Sequence, residues 1–111
     1  MDELPELVDV TITAGSAEWL AAFTRALVED RLAACGNITE RVRSIYRWEG
    51  AIEDETEAQV VLHTRRSLVP RIIERVDEHH PYDTAQVLAT AVVEAQPAYH
   101  RWVLDSTDTP T

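Results

Sequence analysis

Residues 7–13, LVDVTIT, alternate in two phases, with Val8, Val10 and Ile12 on one side and Leu7, Asp9 and Thr11 on the other. A period of two predicts a strand. After AGS (14–16) the period lengthens: Leu20, Phe23, Leu27 and Val28 fall on one helical stripe. Ser16 is suited to cap this helix and Glu18 to its first turn. The pattern predicts a helix over 17–35, with Cys35 near the apolar face and Gly36 as its C-terminal stop.

Residues 37–49, NITERVRSIYRWE, are β-branched and aromatic, with Ile38, Val42, Tyr46 and Trp48 in one phase and Ile45 in the other. Thirteen residues is long for a strand, so a bulge or bend is expected. GAIEDE (50–55) reads as the turn of a hairpin, and TEAQVVLHT (56–64) as its second strand. A second helix follows, capped by Ser67, with Pro70 in its first turn and Leu68, Ile72, Val76 and His79 along one face. Pro81 stops it. Residues 84–95, TAQVLATAVVEA, read as a last strand, and Pro97 opens a short helix with Tyr99, Trp102 and Val103.

The order β-α-β-β-α-β plus a terminal helix predicts an α+β, ferredoxin-like antiparallel sheet. Its two main helices cover one sheet face only. QVVLH and QVLATAVV are nevertheless apolar on both sides, so the second face needs a cover the chain itself lacks. A homo-oligomer packing sheet against sheet is the expectation.

Composition narrows the function. The 111 residues suit a single domain, expected over 8–105 with loose tails at 1–7 and 106–111. The formal charge is -10 and every basic residue is arginine, so nucleic-acid binding is disfavoured and cations are attracted. There is no apolar run of membrane-spanning length and no signal-peptide pattern at MDELPELVDV. The lone Cys35 cannot make an internal disulfide, and the expected compartment is a reducing cytoplasm. Phosphate-loop, dinucleotide and nucleophile-elbow glycine patterns are absent, and no spacing marks an acid–base pair, so no enzymatic activity is expected.

Four histidines remain as candidate ligands, two of them adjacent in EHHPYD (78–83). Neighbours on a helix point about 100° apart and do not chelate together. One reading is structural: a histidine at a helix C-terminus meets the dipole and the free carbonyls. The other is a cation site of His79 and His80, with Asp83 secondary, assembled across an oligomer interface. Cys35, expected at a helix end that raises a thiol pKa, reads as a small buried hydrophobe. The acidic run Glu53, Asp54, Glu55 and Glu57 reads as solvated surface. Tyr46, Arg47 and Trp48 read as packing, with Trp48 at an interface.

LVEDRLAACGNI (27–38), SIYRWEG (44–50), HHPYD (79–83) and PAYHRWV (97–103) stand in the order and spacing of the CutA divalent-cation tolerance proteins, which the chain resembles over about residues 8–105. The resemblance implies a ferredoxin-like homotrimer with interlocking hairpins, similar in architecture to the PII signalling proteins, and a role in tolerance to divalent metals, copper especially. It implies no tightly bound cofactor, only weak binding of copper or another divalent cation between subunits. A cysteine that some members carry in the first strand is Ile12 here. The family's usual lysine after VVL is His63, its glutamate after HPY is Asp83, and a later glutamate is Gln86. The competing expectation is a PII-like sensor of a small anion in an intersubunit cleft, using Arg47, His63 or Arg65.

Overall fold

The computed structural model describes residues 6–109. Strand β1 (Leu7–Ala14) buries Val8, Val10 and Ile12 as its alternation requires. Helix α1 (Ala17–Glu29) is capped by Ser16, whose Oγ accepts from Trp19 N–H at 3.1 Å. The expected run to residue 35 stops six residues early. Leu32 N–H reaches Leu27 O at 2.9 Å and Arg31 N–H reaches Val28 O at 3.1 Å, with Arg31 at φ 60. That is a Schellman stop, built on an arginine where glycine is usual. The Arg31 side chain holds it from outside, donating to Asp108 Oδ1 at 3.0 Å and Asp105 O at 2.6 Å.

Strand β2 (Cys35–Trp48) therefore includes Cys35 and Gly36, neither of which ends a helix. Its register against β3 (Ala51–Arg65) shifts between Thr39 and Val42, the expected bulge, with Arg41 at φ 63. The shift reverses the strand's phase. Ile38 pairs with core-facing Val60, whereas Val42 pairs with Glu57 on the opposite face. The turn is two residues, Glu49 (φ 49) and Gly50 (φ 80), between Trp48 and its partner Ala51. The acidic run expected in the turn instead lies within β3. Arg43 neutralises part of it through two bonds to Asp54, at 2.9 and 2.6 Å. Two successive positive φ values suit asparagine-glycine. Glu49→Asn is thus expected to stabilise the chain by about 0.5 kcal/mol, read as a higher midpoint in urea.

A short helical turn, Arg66–Leu68, leads into α2 (Val69–His79). Ser67 lies within that turn and makes no capping bond; Pro70 occupies the first turn of α2. Strand β4 (Val87–Ala91) is shorter than expected, and α3 (Pro97–Asp105) closes the chain. The strand order is β2-β3-β1-β4, antiparallel throughout, as a ferredoxin-like sheet requires.

The main core lies between one sheet face and helices α1 and α2, around Val10, Ile12, Leu20, Leu27, Val60, Leu62, Ile72 and Val76. The second face receives only α3, which seats Val103 on Leu7 and Ala34. Arg65 pins this end by donating to Leu104 O at 2.6 Å and Thr107 Oγ1 at 2.9 Å. Leu7 and Thr107 are thus buried parts of the body, outside the expected limits of 8 and 105. Of the expected tails, residues 1–5, 110 and 111 lie outside the described residues. Much of the rest of the second face is bare: Leu88 is 58% exposed and Trp102, on α3, 45%; beyond the end of β4, Val93 is 84% exposed. The hairpin adds Ile45, Tyr46, Trp48 and Ile52 to the exposed apolar surface. Trp48, expected at an interface, is uncovered by its own chain.

Candidate functional site

Pro81 ends α2 at His79, and the next residue leaves the helix. His79 stays on the surface, although its spacing continues the apolar stripe. His80 is the C-cap, with extended backbone (φ -68, ψ 137), and its ring swings inward to become buried. Nε2 lies 2.8 Å from Thr13 O, and Nδ1 accepts from Tyr82 N–H at 3.0 Å. A carbonyl can only accept, so the two bonds select the neutral Nε2–H tautomer. The ring also packs edge-on to Trp19 and against Tyr82, each at 4.9 Å between centroids. Both nitrogens are committed, so His80 joins β1, α1 and the loop before β4. The expected ligand is a structural post.

Asp83 belongs to the other side of this loop. With Thr13, Ser44, Ile45, Tyr46, Trp48, Glu57, Tyr82, Thr84, Ala85 and Gln86 it lines a groove of about 650 Å³. Glu57 is buried there and accepts from Tyr82 Oη at 3.0 Å. Burial, then the hydrogen bond and charge of Glu57, push the Tyr82 hydroxyl up to about 12. Sequence reasoning placed Glu57 on solvated surface and did not join it to Tyr82. The two are 25 positions apart, and the loop after α2 brings Tyr82 back to β3.

Among the described residues no three His, Cys, Asp or Glu side chains gather to hold an ion. With His80 committed as well, one chain does not fit a closed metal centre.

The expected anion cleft is not assembled within one chain either. Arg47 pairs with Ile52 near the hairpin tip, while His63 and Arg65 lie at the far end of β3. Along the strand that is about 35–45 Å. Arg65 is engaged by α3, as described. His63 sits in a cross-strand row with Cys35 and Asp9. Its Nε2 is 2.9 Å from Asn37 Oδ1, and its Nδ1 is 3.1 Å from Asp9 Oδ1. The second is an ion-pair distance without hydrogen-bond alignment, since Asp9 Oδ1 is buried with no donor. Cys35 is half-buried, 3.6 Å from Tyr99 Oη. Burial, then the thiol, push the Tyr99 hydroxyl up to about 12 as well.

Tyr46 is also raised, by burial and nearby Glu55, Glu57 and Glu53, so all three tyrosines hold their protons past the ordinary value of 10.0. The folded chain binds these protons more tightly than the unfolded one. The stability they contribute is complete below about pH 10 and is lost as the pH rises towards about 12. An absorbance titration of the native protein is expected to show tyrosinate appearing late, and unfolding in urea to return it to about pH 10. Coincident native and denatured curves would contradict this.

The chain matches the family model described as CutA1 divalent ion tolerance protein over residues 8–106. It is similar to the protein CutA of Mus musculus, 44% identical over 84 residues, which are 76% of this chain and 48% of that protein. It thus spans about half the length of that relative. The divalent-cation tolerance protein CutA of Thermus thermophilus is 37% identical over 98 residues, covering 88% of this chain and 95% of that one. The solved divalent cation tolerance protein (Cut A1) from Thermus thermophilus superposes with a TM-score of 0.89 at 35% identity, covering 92% of this chain and 99% of that structure.

Proposed function

The chain belongs to the CutA1 divalent ion tolerance protein family, and from that premise we propose that it acts as a cytoplasmic homotrimer that meets divalent cations weakly and catalyses no reaction. The bare second sheet face carries the assembly. Leu88 and Trp102, with the hairpin's Ile45, Trp48 and Ile52, are large apolar side chains that their own chain leaves exposed. Burying them against further copies removes that surface from solvent. Among the described residues no helix is long and apolar enough to cross a membrane.

The cation role falls to groups left open after His80 is set aside. His79 at the end of α2 and Asp83 four residues later are both exposed, and a divalent ion would draw its remaining ligands from a neighbouring copy. The net charge of -10 raises the local cation concentration around such a site. An anion sensor is disfavoured by the same charge and by the separation of Arg47 from His63 and Arg65.

Light scattering after size exclusion is expected to give three times the 12.5 kDa chain mass, and a soluble monomer would sink the assembly. Calorimetric titration with copper and zinc is expected to give weak heats that His79→Ala with Asp83→Asn abolishes. Heats unchanged in that double variant would remove both residues from the role.

A further inference from the structure

Asp9 and His63 pair across β1 and β3 on the sheet face that α3 partly covers. His63 Nδ1 and Asp9 Oδ1 stand 3.1 Å apart. On the other side of the ring, Asn37 Oδ1 accepts from His63 Nε2–H at 2.9 Å. A neutral ring so held presents a lone pair at Nδ1. Asp9 Oδ1 presents lone pairs as well, and it is buried with no donor. Two acceptors this close, with nothing between them to donate, are unfavourable away from water. A proton on Nδ1 does not complete the pair, because the N–H would follow the lone-pair direction, which is not aligned on Oδ1.

The spacing is that of two ligands on one ion. A nitrogen and a carboxylate oxygen bound to zinc at about 2.0–2.2 Å, with about 90–110° between the bonds, lie about 2.8–3.6 Å apart. A cavity of about 30 Å³ adjoins the pair, lined by Asp9, His63 and Tyr99. It has room for one small ion and none for an organic ligand. The Tyr99 ring packs edge-on to His63, 6.1 Å between centroids, and holds the imidazole from the α3 side. Asn37 supplies the outer hydrogen bond that orients a ligating histidine. An imidazole nitrogen with one carboxylate suits zinc and its neighbours, whereas magnesium and calcium take oxygen ligands. Among the described residues no third His, Cys, Asp or Glu joins the two, so the centre is an open one that water completes. Side-chain exposures of 26% for His63 and 34% for Asp9 leave the ion a path in.

We infer that Asp9 Oδ1 and His63 Nδ1 form an open site for one divalent transition-metal ion of the zinc type in each chain, with Asn37 as its positioning residue. The site shares no residue with His79 and Asp83, and it needs no second copy.

The test titrates zinc chloride into the intact protein carrying His79→Ala and Asp83→Asn, with magnesium chloride as the control. Calorimetry is expected to give one zinc ion per chain and no heat from magnesium. Nitrogen NMR is expected to show His63 Nδ1 becoming the bound nitrogen while Nε2 keeps its proton. His63→Lys keeps a charge partner for Asp9 but offers no lone pair while charged, and is expected to remove the zinc heat. Asn37→Ala leaves both ligands in place and is expected to weaken zinc about 10- to 100-fold. The inference is overturned if zinc leaves the His63 Nδ1 signal unmoved, or if His63→Lys binds zinc undiminished. The proposed intersubunit site is read separately, in the His63→Lys background, as the copper and zinc heats that His79→Ala with Asp83→Asn abolishes there.

Discussion

Gly36→Val is expected to lower the midpoint of thermal unfolding by roughly 12–20 °C, about 3 kcal/mol for a chain of this size. A Cβ placed on Gly36 would stand 2.5 Å from Thr24 Cγ2, 3.0 Å from Val60 Cγ2 and 3.1 Å from Leu62 Cδ2. All three belong to packed elements. Thr24 is buried on α1, and Val60 and Leu62 are fully buried on β3. The glycine is required by closeness of approach, with α1 lying almost on the backbone of β2. Gly36→Ala should lose less, and Thr24→Ser should recover part of that loss by deleting the nearest methyl. Melting curves at one fixed protein concentration measure both, because the proposed assembly would make the midpoint depend on concentration. A valine variant within about 2 °C of the parent would show that α1 can move away cheaply.

His80→Ala is expected to destabilise by about 3 kcal/mol while leaving copper titration heats unchanged. Truncation strands the Thr13 carbonyl and the Tyr82 N–H, both now satisfied by one ring, and removes its contacts with Trp19 and Tyr82. His79→Ala is expected to stay within about 0.5 kcal/mol of the parent, since the side chain is exposed and no hydrogen bond holds it among the described residues. Two neighbouring histidines thus separate into a stability residue and a surface residue. Copper heats lost in His80→Ala at a protein concentration and temperature where it remains folded would overturn the assignment.

The elements legible in the sequence are those whose burial follows a simple period. β1, the start of α1, the need for a bulge in the first hairpin strand and the proline-led α3 are of this kind. The ferredoxin-like order follows from them. The end of α1 was not legible, because the chain reverses at Arg31, a residue type that seldom adopts φ 60, and Asp105 and Asp108 from the other end of the chain hold it there. The turn was misplaced because an acidic run resembles a loop until a cross-strand partner such as Arg43 is known. The histidine pair failed for a related reason. Helical phase predicts that His79 faces inward, but the break at Pro81 resets the phase and delivers His80 instead. Nothing local in EHHPYD shows which ring turns inward. The groove was illegible throughout: Tyr46 and Trp48 come from the part of β2 whose phase the bulge reverses, and Tyr82 comes from the loop after α2.

That bulge also bears on how far copies of the chain can add to one another. β2 is an edge strand of 14 residues, and an uninterrupted edge of that length is a template for strand-on-strand addition without end. The register break at 40–41 twists the edge and interrupts its row of hydrogen-bonding groups. Arg41 and Arg43 add charge at and beside the break, with Glu40 next to them. A second molecule approaching this edge meets salt-bridged side chains before it meets a continuous backbone. The bulged edge thus guards the molecule against fibre growth.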